Sequence, residues 1–264
     1  MNSRYSLERR KRLCEPVAVD LAALVEPDMR WMFDLINPVS EKRAIALQRN
    51  ADLVERQRAT IARTNEIWSL ASQSGRPSDP ELLAARDQVN AEVHAIRSQL
   101  PRAKAAEFCR NGVRKGALKG ARKDARKRAH DGETHQRLAP YAVLYLAWEA
   151  AYPQEWRAAG LHSPWHIKAK SLRQFAHLGV PPECAKPLSD LVIDAIRREH
   201  RCEDRWYAGV ARRVAGPDLD QALTETLEAP DPVARMRAGY VRWIINSPAE
   251  PVTEVSWRRW LSCI

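Results

Sequence analysis

The chain has 264 residues, 45% of them aliphatic, aromatic or Cys, with nine Trp and a net charge of +10. That apolar content excludes a wholly disordered chain, and no window approaches the roughly 18 apolar residues of a membrane span. Five widely spaced cysteines, with no CxxC and no Cys/His pair at zinc-ligand spacing, predict free thiols in a reducing, cytoplasmic setting rather than a disulfide or zinc framework.

Glycine is scarce, Ala, Arg, Leu and Glu are abundant, and alternating β-branched runs are almost missing, so the expected fold is all-α. The predicted order is a helical hairpin with a basic helical segment, followed by a multi-helix bundle domain. The expected divisions are residues 1–39, 40–130 and 131–264.

The polar start, MNSRYSLERRKRLCEP, lacks the apolar core of a leader sequence. With Arg9, Arg10, Lys11 and Arg12 it reads as a frayed basic terminus. Short helices are predicted over residues 17–25 and 28–36, the second ended by Asn37 and Pro38. A long helix then opens at Ser40 and Glu41 and reaches about residue 71. Leu47, Val54, Ile61 and Trp68 recur every seven residues along it and predict its apolar stripe. After the turn-rich SQSGRPSD, Pro80 starts a second helix in which Leu82, Val89 and Ile96 repeat at seven, until Pro101 interrupts. The pair reads as an antiparallel hairpin within a bundle.

The basic segment, residues 102–128, follows at once. It holds eleven basic and two acidic residues, a net of +9, so the rest of the chain is nearly neutral. From Asn111 it runs NGVR, KGAL, KGAR, KDAR, KRAH, a four-residue repeat that sets small residues on one drifting helical face and Lys on another. Gly112, Gly116 and Gly120 each cost roughly 1 kcal/mol against Ala in a helix, and like charges four apart repel, so the isolated segment is a marginal helix that an anionic partner can order.

The polar stretch 130–137 is the expected break between halves. The apolar run PYAVLYLAWEAAYP is a predicted core helix, covered by Trp156 and Trp165. Further helices are predicted near residues 169–178, 187–199, 206–214, 219–227 and 232–245, with Trp257 and Trp260 packing the tail.

The chemistry-bearing pattern is the basic segment. Phosphate backbones bind dense Lys and Arg largely through release of condensed counterions, which demands charge density and little geometry. The candidate contact residues are Arg110, Arg114, Lys115, Lys119, Arg122, Lys123, Arg126, Lys127 and Arg128. Nothing aromatic stands between Phe108 and Tyr141, so the segment has no stacking platform and its contacts are expected to be sequence-independent. DNA and RNA are equally compatible partners, other protein subunits are expected, and a membrane is not.

Residues 171–190 have helix-turn-helix spacing around Gly179, but Phe175, Pro182 and Pro187 disturb the pattern and favour an ordinary helical corner. His162 and His166 are four apart with Pro164 between them, which favours a structural pair over a metal site. HRCED, residues 200–204, reads as a surface salt-bridge cluster. Nucleophile elbows, phosphate-binding glycine loops and paired catalytic carboxylates are absent by pattern, so no enzyme activity, cofactor or metal is expected. The expected function is non-catalytic nucleic-acid binding within a larger nucleoprotein complex. The alternative is a helical scaffold or oligomerisation protein whose basic segment is a linker or docks on an acidic protein surface.

Overall fold

The computed structural model describes residues 3–73, 80–110, 121–160 and 163–263. Among them every regular element is helical, so the chain is all-α, and no helix is long and apolar enough to cross a membrane.

Helix α1 (Ser3–Pro16) opens the chain and runs into a widened π turn (Val17–Leu21) and a 3-10 turn (Ala22–Leu24). Pro16 brings no N–H and a ring that crowds the preceding turn, which accounts for the change of winding there. Contrary to the expected frayed terminus, α1 is docked: Leu13 and Cys14 are buried, and Arg9 donates to both carboxylate oxygens of Asp194, Nη2 to Oδ2 at 2.8 Å. Arg10 lies over the ring of Tyr152 at 4.8 Å. A 3-10 stretch (Pro27–Ile36) follows and ends where Asn37, extended before Pro38, returns its N–H to Asp34.

Helix α2 (Ser40–Gln73) is about 51 Å long at 1.5 Å per residue. It pairs with α3 (Pro80–Ser98) in antiparallel sense, since Leu53 packs with Ile96 and Leu100, Arg63 pairs with Glu92 at 3.1 Å, and Arg86 stacks on Trp68. The buried residues of α2 are Ala46, Asn50, Leu53, Thr60 and Ala71, and of these Ala46, Leu53 and Thr60 stand one place before the predicted stripe. Leu47, Val54 and Ile61 flank this seam half-buried, and Trp68 is exposed. Leu53 and Ile96 fill the seam, and the polar Asn50 and Thr60 lie on the same buried face of α2.

Helix α4 (Pro101–Arg110) starts at the proline that stops α3. Helix α5 (Ala121–Ala151) is continuous through residues 130–137, the predicted break. From Leu138 to Tyr152 every residue is buried, and that half of α5 is the axis of the molecule. It is enclosed by α1, α4, the π and 3-10 turns, α6 (Pro153–Ala158), α7 (Trp165–Leu178) and α8 (Pro182–Arg197). A helix apolar on all sides has to be surrounded in this way.

The chain turns from α7 to α8 at Gly179, whose φ of 100° suits glycine alone. In a helix-turn-helix α8 would be the reading helix. Instead it packs against α1, α5, α10 and α11, with Cys184, Leu188, Leu191, Val192 and Ile196 buried, so residues 171–190 form a helical corner. A 3-10 turn (Asp204–Trp206), α9 (Tyr207–Ala211), α10 (Pro217–Leu227), α11 (Pro232–Asn246) and α12 (Glu254–Leu261) complete the fold. Thr253 and Ser256 cap α12 reciprocally. One apolar core extends from Leu13 to Trp260.

Within this core lies an ion network. Lys168 of α7 has no exposed surface and donates to Asp204 at 2.7 Å, with Glu149 at 3.1 Å. Arg198 reaches both oxygens of Asp204 at 2.8 and 2.9 Å and Asp194 at 3.0 Å, while Arg201 pairs with Glu149 at 3.2 Å. Burial pushes the Asp204 carboxyl up, but Arg198 and Lys168 outweigh it and hold it below the usual carboxylate range. Of HRCED, His200 and Cys202 are exposed and Glu203 pairs with Arg205 at 3.5 Å, in keeping with the expected surface cluster, whereas Asp204 is an interior counter-ion.

Candidate nucleic-acid interface

The basic segment is rooted in the core at both described ends. α4 runs antiparallel to α5: Lys104 lies over the Tyr141 ring at 5.3 Å, Glu107 pairs with Arg137 at 3.7 Å, and Phe108 meets the ring of His135 at 4.9 Å. The last turn of α4 is tied to α7 by Gln174, which donates to the Phe108 carbonyl at 3.4 Å, and by a 3.3 Å contact between the Cys109 thiol and the Ser171 hydroxyl. Burial pushes the Cys109 thiol up to about 11. His135 contacts the Gly179 carbonyl at 3.1 Å, and its burial lowers its proton affinity despite that hydrogen bond.

Two basic residues of the segment are thereby engaged by the protein itself. Lys104 is buried against Tyr141, and Arg102 donates to the Trp156 carbonyl at 3.1 Å. The Arg102 guanidinium fits because residue 160 is glycine, as a Cβ there would come within 2.3 Å of Nη1. Without these two the net charge of residues 105–128 is +7.

Among the candidate contact residues, Arg110 is exposed at the end of α4. Arg114, Lys115 and Lys119 lie outside the described residues. Arg122, Lys123, Arg126, Lys127 and Arg128 occupy the first turns of α5, on the same continuous helix as the buried Leu138 to Ala151. In a helix, Arg122 with Arg126 and Lys123 with Lys127 stand four apart in adjacent rows. About four helical turns of α5 run N-terminally beyond His135, which lies level with Phe108 in the last turn of α4.

Two cations near the root of the segment were not legible in the charge pattern. Arg97 ends α3 and Lys170 lies on the exposed side of α7, and both line a cavity shared with Arg110. Neither stands out locally, because each is one charge on an ordinary amphipathic helix.

Of the aromatic and arginine pairs in the second half, Tyr207 and Trp260 are buried, Trp257 packs edge-on to Tyr240 at 4.7 Å, and Trp206 lies between Arg173 and Arg205. Among the described residues no group of three or more His, Cys, Asp or Glu is placed to hold a metal ion. Comparison with protein-family models, curated proteins and solved structures finds no match.

Proposed function

We propose that the protein is a non-catalytic nucleic-acid-binding protein that contacts the phosphate backbone through the basic segment, as a subunit of a larger nucleoprotein complex. The observation that carries this reading is the +7 of residues 105–128 in a chain of net +10, on a segment joined to the core at both described ends. A rigid root lets a sequence-independent charge contact orient the whole molecule on its partner. The test is affinity for duplex and single-stranded DNA and RNA across a salt series. Engagement of five to eight duplex phosphates gives a slope of about −5 to −7 in log K against log salt. A flat response, or unchanged affinity when Lys115, Lys119, Arg122, Lys123, Arg126 and Lys127 become Ala, overturns it.

A second reading, a helical scaffold that self-associates through the hairpin, is favoured by one observation. Trp68 and Leu70, near the far end of α2, are 51% and 57% exposed. Solution mass without nucleic acid decides it: a concentration-dependent dimer lost in Trp68→Ser supports it, and a monomer at all concentrations removes it.

A further inference from the structure

Where the base of the hairpin meets α4 and α7 there is a cavity of about 300 Å³. Its cationic lining is Arg97, Arg102, Arg110 and Lys170, gathered from three helices, with His166 beside them, and among the described residues no carboxylate lines it. Ala103, Ala106 and Ile167 form an apolar floor.

Like charges converging on one concavity repel unless something neutralises them. Elsewhere the cations of this region are satisfied from within: Arg137 by Glu107, Arg157 over Trp165, and Arg173 by the Ala169 carbonyl. Among the described residues, the side chains of Arg97, Arg110 and Lys170 have neither an ion pair nor a hydrogen bond. Arg102 forms a fixed wall, held by the Trp156 carbonyl in the space Gly160 leaves.

We infer that this cavity is a phosphate-binding site. Cations arriving from three directions match a ligand with at least three acceptor oxygens and more than one negative charge, which a phosphate group has and a single carboxylate lacks. Arg97 and Arg110 supply paired N–H donors, Lys170 a point charge, and the apolar floor accepts the ester carbon next to the phosphate. The phosphate belongs either to the backbone of a bound nucleic acid, in which case the inference rests on the proposed function, or to a free phosphorylated compound.

Inorganic pyrophosphate and a 16-base-pair duplex are the probes, titrated against the full chain, against Arg97→Ala/Lys170→Ala, and against Lys115→Ala/Lys119→Ala/Lys123→Ala/Lys127→Ala. Arg97 and Lys170 are exposed and have no protein partner among the described residues, so an unchanged unfolding midpoint is the control for folding. The pocket variant should weaken pyrophosphate binding about tenfold or more, the loss expected for charge-assisted hydrogen bonds, while the segment variant leaves it intact. A duplex salt slope lowered by about 2 in the pocket variant assigns the phosphate to the backbone. An unchanged slope with pyrophosphate binding lost assigns it to a free ligand. Duplex binding absent in the wild type with pyrophosphate binding retained overturns the proposed function and leaves the site standing. No pyrophosphate binding by the wild type, or equal binding by the pocket variant, overturns the site.

Discussion

The amine of Lys168 and the carboxylate of Asp204 meet at 2.7 Å in the interior, 36 residues apart in the chain, and Lys168 has no exposed surface. Glu149, from the wholly buried half of α5, completes the pair, so one lysine links α5, α7 and the turn before α9. Removing one partner of such a set leaves a buried charge uncompensated. Lys168→Met should therefore cost about 3–5 kcal/mol in urea unfolding. In Lys168→Met/Asp204→Asn the combined cost should fall short of the sum of the single costs, because the residues share one network.

Acid should act on the same network. The Asp204 pKa is lowered in the fold, so its contribution is complete above the unfolded carboxylate value and is lost as pH falls through the folded one. His135, which is buried, and His200, which is largely exposed, are also lowered, chiefly by desolvation, and where the folded imidazole has the lower pKa the unfolded state takes up the proton first. Stability should thus decline in two stages on acidification, beginning below about pH 6.5 and steepening below about pH 4. Melting temperatures between pH 8 and 3 check this, and Gln at positions 135 and 200 should flatten the first stage alone.

Arg9 and Cys14 report on the docking of α1. Burial pushes the Cys14 thiol up to about 12, and Cys184 is buried with it, whereas Cys202 and Cys263 are exposed. With a thiol reagent at neutral pH, Cys202 and Cys263 should react first and Cys14 and Cys184 only on opening. Arg9→Ala, which leaves Asp194 one partner short, should accelerate labelling of Cys14 more than of Cys184. Equal acceleration would mean that the helix does not open separately.

Two glycines should respond in opposite directions. Gly132 lies in α5 with nothing within 4 Å of an added Cβ, so Gly132→Ala should stabilise by about 0.5–1 kcal/mol through helix propensity. At Gly160 the new methyl displaces the Arg102 guanidinium from the Trp156 carbonyl, and the substitution should cost about 1–2 kcal/mol. Chemical denaturation of the two variants beside the wild type makes the comparison.

Much of the local architecture was legible in the amino-acid order. Prolines that lack an N–H sit at the first turn of α3, α4, α6, α8, α10 and α11, where that donor has no helical partner. Glu149 interrupts the otherwise apolar run PYAVLYLAWEAAYP, yet nothing near it in the chain names Lys168, Arg198 and Arg201 as its partners. Charge density likewise marked the basic segment, since net charge is a sum over neighbours in the chain.

Tertiary structure alone decided which of those charges face outward. Lys104 and Arg102 look like their neighbours in the sequence, yet packing spends them on Tyr141 and the Trp156 carbonyl. The seam of the hairpin moved by one position for the same kind of reason, because the partner helix, not the heptad, determines how wide a stripe is covered. Arg97, Arg110 and Lys170 share a cavity only once α3, α4 and α7 meet. Secondary structure is set by chemistry within a few residues, so the sequence by itself determined the helices and the charged segment. The ion network, the inward cations and the candidate phosphate site join residues distant along the chain, and only the fold brings these within interaction range.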